Sequence, residues 1–327
     1  MQQFSAHRMC VRAQVITPVS LNEHKGSAIR GALFHSLRNR FCTLRDRRSC
    51  SDCPLWEGCP VCSLVSTIAP DNRLGHNAAR PYTVQPPLEE TRLFYRPGDT
   101  LSFGLTLFSD ALRLFPYLTM ALQGMAEQGL GRKCAENGWR RGTFELHNVW
   151  AENPLSNQRE PILQKGHPSV HTPDIPITHQ QILAQAERMA QASDLTLELL
   201  TPTRLTHRKR LVKPGSVTFR IVLARLLDRL QSLSASQCDT PLELDYGQLV
   251  RSAENVKTVA DRTRWVELAS YSTRQRRTTP IGGLVGAITF CAHDWRPYLP
   301  WLLWGQYTHI GKDAVKGNGW YRLTPTA

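Results

Sequence analysis

The stretch RPYLPWLLWGQYTHIGKDAVKGNGWYRLTP, residues 296–325, decides the fold that we predict for this chain. Its first half is rich in Trp and Leu and is typical of a helix, and its last residues, GWYRLTP, are typical of a closing strand. Gly311, Gly317 and Gly319 lie where the one leads into the other. Glycine in a loop costs folding entropy, so we expect these three to serve a positive-φ turn or a close approach to the backbone.

The segments before this ending repeat one order of elements. DLTLELLTPTRL predicts a strand, residues 216–233 a long helix, and RTRWVELASYSTR and GGLVGAITFCA two more strands. The first half begins with a strand over about Met9–Ile16 and a helix over about Gly26–Arg40, followed by strands around a second amphipathic helix. Strand–helix–strand–strand–helix–strand is the order of a ferredoxin-like unit. The sequence therefore predicts an α+β chain of two tandem ferredoxin-like (RRM-like) βαββαβ domains with a cysteine-rich metal-binding insert.

The boundaries of these domains follow from composition. We place the N-terminal domain at 1–152 with the cysteine insert at 42–62, and the C-terminal domain with its glycine-rich loop at 194–327. Residues 153–193 hold several prolines and polar residues and then a helical pattern, which predicts a linker and a connecting helix.

The charge balance indicates the kind of partner. In 327 residues, 40 Lys and Arg stand against 27 Asp and Glu, a net charge of +13, while the hydrophobic fraction of 41% is that of a globular protein. Such a balance favours a polyanion, nucleic acid before an acidic membrane surface. The N-terminus shows no secretory signal, and no apolar run is long enough to span a bilayer, so we expect a cytoplasmic protein that does not bind a membrane.

Five of the 9 cysteines fall close together in the spacing C-x7-C-x2-C-x5-C-x2-C. They are Cys42, Cys50, Cys53, Cys59 and Cys62. Two C-x2-C pairs this close together can hold one tetrahedral ion with four thiolates, which favours a structural zinc. An iron–sulfur cluster uses the same donors, and an empty or partly oxidised cluster is the third reading. Four thiolates leave no open position on the ion, so its role would be structural rather than catalytic.

Several pieces in fixed order carry a family resemblance. They are HKGSAIRGALFHSLRNRFC, CSDCPLWEGCPVC, YRPGDTLSFGLTLFSDA with GLGRKCAENGWRRGTFEL, LELLTPTRL, and the terminal HIGKDAVKGNGWYRL. Together they resemble the CRISPR-associated repeat-processing endoribonucleases of the RAMP superfamily, whose signature is the terminal glycine-rich stretch. The resemblance spans nearly the whole chain.

The resemblance implies binding of CRISPR repeat RNA and metal-independent cutting within the repeat. The hypothesis that follows is a protein that releases guide RNAs, and it leaves open whether the product RNA stays bound and whether other CRISPR effector subunits are partners. In this family the glycine-rich loop faces RNA, so the amides of its glycines would approach phosphates with Lys312 and Lys316 beside them. The family motif also favours Cys42, Cys50, Cys53 and Cys59 as the metal ligands, and it leaves open whether Cys62 is one.

Such a cut needs no metal, because the 2′-hydroxyl beside the scissile phosphate is itself the nucleophile. The protein supplies a base, an acid and cations that stabilise the phosphorane, and histidine suits the proton transfers near neutral pH. The family places this group on or near the first helix, where His24 and His35 stand. Arg30 and Arg38 on the same helix are the candidate cations, and a site led by arginine is the alternative.

Basic residues elsewhere are candidates for holding the RNA. TRLTHRKRLVK follows the first strand of the second domain, and STRQRRTTP joins two later strands as a hairpin tip. Phosphate contacts should dominate on an RNA stem, whose deep groove exposes little sequence information. The RNA-binding candidates outside the glycine-rich loop are Lys25, Arg204, His207, Arg208, Lys209, Arg210, Arg274, Arg276 and Arg277.

Two other functions use some of the same features. A non-catalytic RAMP subunit of a CRISPR interference complex would share the fold and the basic surfaces. A zinc-finger DNA-binding regulator would share the C-x2-C pairs and the charge, but no recognition helix follows the cysteines. The leading hypothesis is the repeat-specific endoribonuclease.

Overall fold

The structure is a computed structural model, and it describes residues 1, 3–44, 50, 53–66, 79–167, 169–272 and 277–326. The side chains of 271, 272 and 277 lie outside this description. The chain divides into two compact units. One unit comprises His7–Pro176, and the other comprises Met1–Ala6 together with Ile177–Ala327.

The described residues form six α-helices. They are α1 Lys25–Phe41, α2 Phe115–Gln128, α3 His179–Met189, α4 Phe219–Gln237, α5 Tyr246–Ser252 and α6 Leu299–Thr308. All but α5 lie where the sequence predicts a helix, with ends that differ by a few residues. No helix in the described part of the chain is both long and apolar enough to cross a bilayer.

The unit His7–Pro176 is built on one main sheet and a smaller one. Its strands are β1 Ser5–Val15, whose first two residues belong to the other unit, β2 Val19–Ser20, β3 Tyr82–Gln85, β4 Phe94–Tyr95, β5 Thr100–Phe108, β6 Leu130–Cys134, β7 Arg140–Gly142, β8 Phe144–Asn153 and β9 Gln158–Gln164. The main sheet has the order β3-β5-β1-β8-β9, and the smaller sheet the order β4-β2-β6-β7. In β1 the side chains of Met9, Val11, Ala13 and Val15 are buried, as the alternating sequence predicts.

Helices α1 and α2 of this unit pack closely against each other. Ser36 Oγ donates a 2.7 Å hydrogen bond to the carbonyl of Ala121. A Cβ at Gly124 would lie 2.3 Å from Ser36 Oγ, so a side chain at position 124 would displace this hydroxyl from its hydrogen bond. The packing buries Ile29, Leu33 and Leu37, which recur every fourth residue along one face of α1, and leaves the opposite face, with His35, partly open.

The second unit is built on a four-stranded antiparallel sheet. Its strands are β10 Ile177–Thr178, β11 Asp194–Thr203, β12 Thr206–His207, β13 Arg210–Leu211, β14 Lys257–Val266, β15 Ala269–Ser272, β16 Arg277–Pro280, β17 Gly283–Cys291 and β18 Tyr321–Thr326. The sheet order is β14-β17-β11-β18, with every neighbouring pair antiparallel. Helix α4 lies between the first and second of these strands in the sequence, and α6 between the third and fourth. Aromatic contacts of Phe219 with Phe290, Trp295 and Tyr298 form the core beneath this sheet.

The structure confirms an α+β fold with antiparallel sheets and the predicted order of the main elements. The segment 153–193, predicted as a linker with a helix, also contains β9, which extends the first sheet, and β10, which pairs with Ser5 and Ala6. The sequence did not reveal the short strands β2, β4, β6 and β7. Strands of two to five residues are too short to show a hydrophobic period.

Candidate active site

His24 is the N-cap of α1. Its Nδ1 accepts from the backbone N–H of Ser27 at 3.2 Å and lies 2.7 Å from Ser27 Oγ, and the side chain is buried. Since Nδ1 accepts, a neutral ring carries its proton on Nε2. His24 thus satisfies one of the amides that every helix N-terminus leaves open, which is a structural role.

Lys25, predicted to contact RNA, is only 3% exposed. Its ammonium group donates a hydrogen bond to the backbone carbonyl of Glu89. Burial lowers the pKa of Lys25, and the carboxylate of Glu89 partly opposes that shift. The side chain is therefore directed into the protein and not to the surface where RNA would bind.

His35 lies half-buried among guanidinium groups. Burial is the main cause that lowers its pKa below the ordinary 6.5, and the charges of Arg141, Arg38 and Arg30 lower it further. Three cations around one imidazole disfavour a fourth positive charge. His35 is consequently neutral at pH 7, the state in which it accepts a proton.

Arg30 lies beside the same histidine. Its guanidinium carbon is 5.5 Å from the centroid of the Phe34 ring, and that ring meets His35 edge-on at 5.7 Å. Arg30 Nε is buried and has no hydrogen-bond partner among the described residues. A buried guanidinium N–H without a partner is costly, and an anionic ligand would remove that cost.

Arg141 comes from β7 and was not predicted as a site residue. Its position is set by glycines, because a Cβ at Gly129 would lie 2.8 Å from Arg141 Cβ and one at Gly142 would lie 2.2 Å from the carbonyl of Pro18. Asn137 Nδ2 donates to the Arg141 carbonyl at 2.8 Å. The segment GLGRKCAENGWRRGTFEL supported the family resemblance, and its paired arginines before Gly142 were the one sequence signal for this residue.

The group His35, Arg30, Arg38 and Arg141, which we call the His35 cluster, combines a neutral base with three cations. Such a set has the groups that phosphate binding and phosphorane stabilisation require, together with an imidazole that is able to remove a proton. Of the four predicted catalytic residues, the structure brings Arg30, His35 and Arg38 together and places His24 at the helix N-terminus.

The glycine-rich loop lies in the other unit and packs on the end of β11. Gly311, Gly317 and Gly319 have φ of 79°, 86° and 73°. The amide of Gly319 donates to the Pro202 carbonyl, and that of Gly317 donates to the Ala314 carbonyl. These amides satisfy the protein's own backbone, so the phosphate contact predicted for them stays a prediction.

Polar side chains of the loop are also used within the unit. His309, which is fully buried, bonds through Nδ1 to the Asn318 carbonyl at 3.1 Å and stacks on Trp320. A carbonyl only accepts, so His309 Nδ1 is the donor. Lys316 forms a 3.0 Å ion pair with Asp313, and the amide of Lys312 donates to the Arg204 carbonyl.

The predicted basic run forms a β-hairpin. Strands β12 and β13 pair through Thr206 with Leu211 and His207 with Arg210. Arg208 and Lys209 form the two-residue turn, with φ of 48° and 65°, and both are exposed. Arg204 precedes this basic hairpin, and its Nη1 donates to the Gly282 carbonyl at 3.2 Å. The structure thus places Arg208, Lys209 and Arg210 at an exposed tip.

The other predicted tip is only partly described. Arg277 begins β16, where its backbone pairs with Ser272, but its side chain lies outside the described part. Arg274 and Arg276 lie outside the described residues altogether.

The cysteine insert is described at all five cysteines. Cys42 is the C-cap of α1, and the amide of Cys53 donates to the carbonyl of Cys50. Burial raises the pKa of the Cys62 thiol, and the thiols of Cys50 and Cys59, with which it hydrogen bonds, raise it further. Cys62 therefore lies with two of the predicted ligands. Even so, within the described ranges no group of three or more His, Cys, Asp or Glu side chains is arranged to hold a metal ion.

Two family models match the sequence. The model AF_1859_N, described as an N-terminal domain, matches residues 4–175. The model of the CRISPR-associated endoribonuclease Cas6 matches residues 197–321. No curated protein matches the chain.

Solved structures share the fold at low sequence identity. A Cas6 product complex is 16% identical with a TM-score of 0.56 and covers 98% of this chain and 99% of its own. Thermus thermophilus Cas6 is 15% identical with a TM-score of 0.53, over 98% of this chain and 99% of its own. A partial Cas6-RT-Cas1–Cas2 complex is 14% identical with a TM-score of 0.63 and covers 99% of this chain. The chain spans 47% of the length of that last relative.

The first model covers most of the unit His7–Pro176, and the second covers most of the unit that contains Ile177–Ala327. The N-terminal domain model matches residues 4–175, more than half of the chain, so the chain belongs to that family, and its residues 197–321 match the model of the CRISPR-associated endoribonuclease Cas6.

Proposed function

We propose that this chain cleaves CRISPR precursor RNA within the repeat, without a catalytic metal, at the His35 cluster. The observation that carries the proposal is one neutral imidazole flanked by three guanidinium groups, with Arg30 Nε buried and unpaired in the described part of the chain. A phosphodiester has the charge and the oxygen acceptors that this arrangement lacks.

The cleavage needs few steps. Neutral His35 takes the proton of the 2′-hydroxyl, and the 2′-oxygen attacks the adjacent phosphorus. Arg30, Arg38 and Arg141 stabilise the phosphorane, whose negative charge exceeds that of the ground state. The bond from phosphorus to the 5′-oxygen then breaks, that oxygen takes a proton from water, and the remaining hydroxide takes back the proton that His35 holds. The products are a 2′,3′-cyclic phosphate and a free 5′-hydroxyl.

We propose two tandem ferredoxin-like modules as the scaffold. Each unit has the strand order second–third–first–fourth in its main sheet, with a helix after the first strand and another after the third. This is the arrangement that the βαββαβ unit requires. The first unit adds β9 at the sheet edge and a second small sheet that carries Arg141.

The proposed partners are repeat RNA, the product RNA and other CRISPR proteins. One similar structure is a Cas6 product complex, and another joins Cas6 to RT, Cas1 and Cas2. The exposed tip of the basic hairpin supports binding of the RNA stem through phosphates, and the net charge of +13 agrees with it. We expect this activity in the cytoplasm, where CRISPR transcripts are made.

We also propose a structural zinc in the cysteine insert. Thiolates are the donors that zinc prefers, and Cys62 joins Cys42, Cys50, Cys53 and Cys59 as a candidate ligand because its thiol hydrogen bonds with those of Cys50 and Cys59. The ion would fix the path of an insert that follows directly on α1, with no part in the chemistry.

The test uses repeat RNA with a 2′-deoxy nucleotide at the cut. We expect cutting of the all-ribose RNA in EDTA, no cutting of the deoxy RNA, and a cyclic phosphate on the 5′ fragment. Cutting of the deoxy RNA refutes the mechanism. Tight binding without cutting at any pH identifies a non-catalytic RAMP subunit, and preference for duplex DNA over an RNA hairpin identifies a DNA-binding regulator.

A further inference from the structure

Trp139 is the most exposed of the large apolar side chains that the structure describes. It is 70% exposed, whereas the next, Val259, is 58% exposed. Tryptophan buries more apolar surface than other side chains when it packs, so leaving most of it in water forgoes a large stabilisation. A tryptophan held outward in this way is a candidate binding surface.

The backbone of Trp139 is held in an unfavourable conformation. Its φ is 59°, in the left-handed region that bulky side chains rarely adopt, and it follows Gly138 at 57°. The amide of Trp139 donates to the Cys134 carbonyl at 2.9 Å, and that of Gly138 donates to the Ala135 carbonyl at 3.0 Å. The turn is therefore fixed by its own hydrogen bonds. Strain of this kind in a fixed turn is common at functional sites.

The surroundings of Trp139 connect it to the His35 cluster. Trp139 is followed at once by Arg140 and Arg141, and the charge of Arg141 acts directly on His35. Asn137 in the same turn bonds to the Arg141 carbonyl. Arg132 and Lys133 on the paired strand β6 are exposed, as is Arg140. The turn thus presents a flat aromatic ring within a strongly basic surface.

We propose that Trp139 stacks on an unpaired base of the repeat RNA beside the scissile phosphate, and so positions the strand for cleavage. This rests on the proposed function, because the phosphate would be the one bound by the His35 cluster. Every base has a π-face, so an aromatic platform between cations suits a single-stranded ribonucleotide segment. The excess of cations over the one acid in this turn, Glu136, favours RNA over a protein surface.

The experiment combines variants of Trp139 with abasic RNA. Asn tolerates the left-handed region, so Trp139→Asn removes the ring and keeps the turn folded, and Trp139→Phe restores a stacking ring. Val170→Asn is the control, since Val170 is 44% exposed and lies outside every helix and strand of the same unit. The RNAs are hairpin repeats with one abasic nucleotide at each unpaired position next to the cut, and the readouts are Kd and single-turnover cleavage rate.

We expect Trp139→Asn to weaken RNA binding about 5- to 100-fold, Trp139→Phe to recover much of it, and Val170→Asn to change nothing. At one position, an abasic nucleotide should weaken RNA binding by the native protein but not by Trp139→Asn. The reason is that the base contributes affinity only where the ring is present to stack on it. Equal abasic losses in both proteins, or unchanged Kd in Trp139→Asn, overturn the proposal. Binding that depends on Trp139 in a protein that never cuts RNA would refute the proposed function and leave the stacking intact.

Discussion

His24 and His35 belong to the same helix segment and have different environments. His24 caps the helix through Nδ1, whereas His35 lies among Arg30, Arg38 and Arg141. The residue type is the same in both cases, so the neighbours determine which of the two is suited to move a proton in a reaction.

His35→Asn should lower the single-turnover cleavage rate about 100- to 10,000-fold, with RNA affinity nearly unchanged, because it removes a base and keeps the shape. In the native protein kcat/KM should rise with pH through the pKa of His35 and reach its plateau before pH 6.5, since that pKa is lowered.

The free energy of unfolding should also rise with pH over the same range. The unfolded chain takes up this proton more readily, so His35 favours unfolding as the pH falls through 6.5 toward its folded pKa. A rate independent of pH from 5 to 8 in single turnover would contradict the assignment.

His24→Ala should lower the free energy of unfolding by about 0.5–2 kcal/mol, because the N-terminal amide of α1 loses its acceptor. His24→Asn should restore most of that stability, since Asn is a good N-cap. Urea unfolding measures both. If His24→Asn folds normally but cleaves as poorly as His35→Asn, then His24 takes part in the chemistry and the cap is incidental.

At the scale of elements, the glycine-rich loop and the basic hairpin both lie at the end of β11. The carbonyl of Pro202 accepts from Gly319, and that of Arg204 accepts from Lys312. A Cβ at Gly311 would lie 2.5 Å from the Arg204 carbonyl. The glycines therefore allow the loop to lie directly against the strand from which the hairpin projects, and this close approach is the reason for glycine there.

Gly319→Ala should destabilise the protein by more than about 2 kcal/mol, because the new Cβ would lie 1.8 Å from the Ile310 carbonyl in a backbone at φ 73°. Gly215→Ala is the matched control, at φ 75° with nothing within 4 Å. It should cost only about 1–2 kcal/mol, the strain of the left-handed conformation. Thermal unfolding compares the two variants, and equal losses would show that close packing of the loop contributes nothing.

The turn of the basic hairpin holds two cationic residues in a backbone conformation that is unfavourable for them. Both central residues have positive φ, which Asn-Gly adopts readily and Arg-Lys does not. Replacing the pair by Arg208→Asn with Lys209→Gly should stabilise the protein by about 1 kcal/mol. RNA binding should weaken, and the slope of log K against log salt should become shallower by about 1 for each phosphate that the variant no longer binds.

The control for this pair removes two charges elsewhere in the same unit. Arg188→Gln with Arg296→Gln gives the same net charge, and the side chain of Arg296 is already paired with Asp294. Titration of a repeat hairpin at several salt concentrations compares the variants. An equal loss of affinity in both pairs would mean that total charge, rather than the hairpin, determines binding.

For the whole molecule, net charge and the cysteine insert are the properties that act beyond any one element. A charge of +13 draws any nucleic acid to the protein, so it supports binding without selecting the repeat. The insert follows α1, which carries His35, and a metal there would stabilise the fold in which that helix is held.

The purified protein should contain about one zinc ion per chain by elemental analysis. Cys50→Ser should lower the zinc content and the Tm, by about 2–4 °C for each kcal/mol lost. Cys291→Ser, on β17 in the sheet of the second unit, should change neither the zinc content nor the Tm. Zinc content that is unaffected by Cys50→Ser, or iron in place of zinc, would overturn the zinc assignment. The cleavage rate of the zinc-loaded protein should not vary with added Mg²⁺.

Long helices and strands were predictable because their apolar residues recur with a regular period in the sequence. Helix α1 was predicted at Gly26–Arg40 and is found at Lys25–Phe41, and the strand predicted at Met9–Ile16 is β1, Ser5–Val15. Lys25 shows the limit of such reasoning. It begins a helix that carries several arginines, yet its ammonium group donates a hydrogen bond to a carbonyl 64 residues away.

The sequence by itself determined the order of elements, the cationic character, the cysteine spacing and the resemblance to repeat-processing endoribonucleases, since each follows from composition or from short segments in their order along the chain. Only the tertiary structure decided which histidine lies among cations, that Arg141 joins it and that Trp139 stands in solvent beside them. These properties arise from contacts between distant segments, α1 with β7 and its turn. Burial and the field of neighbouring charges have no counterpart in local sequence.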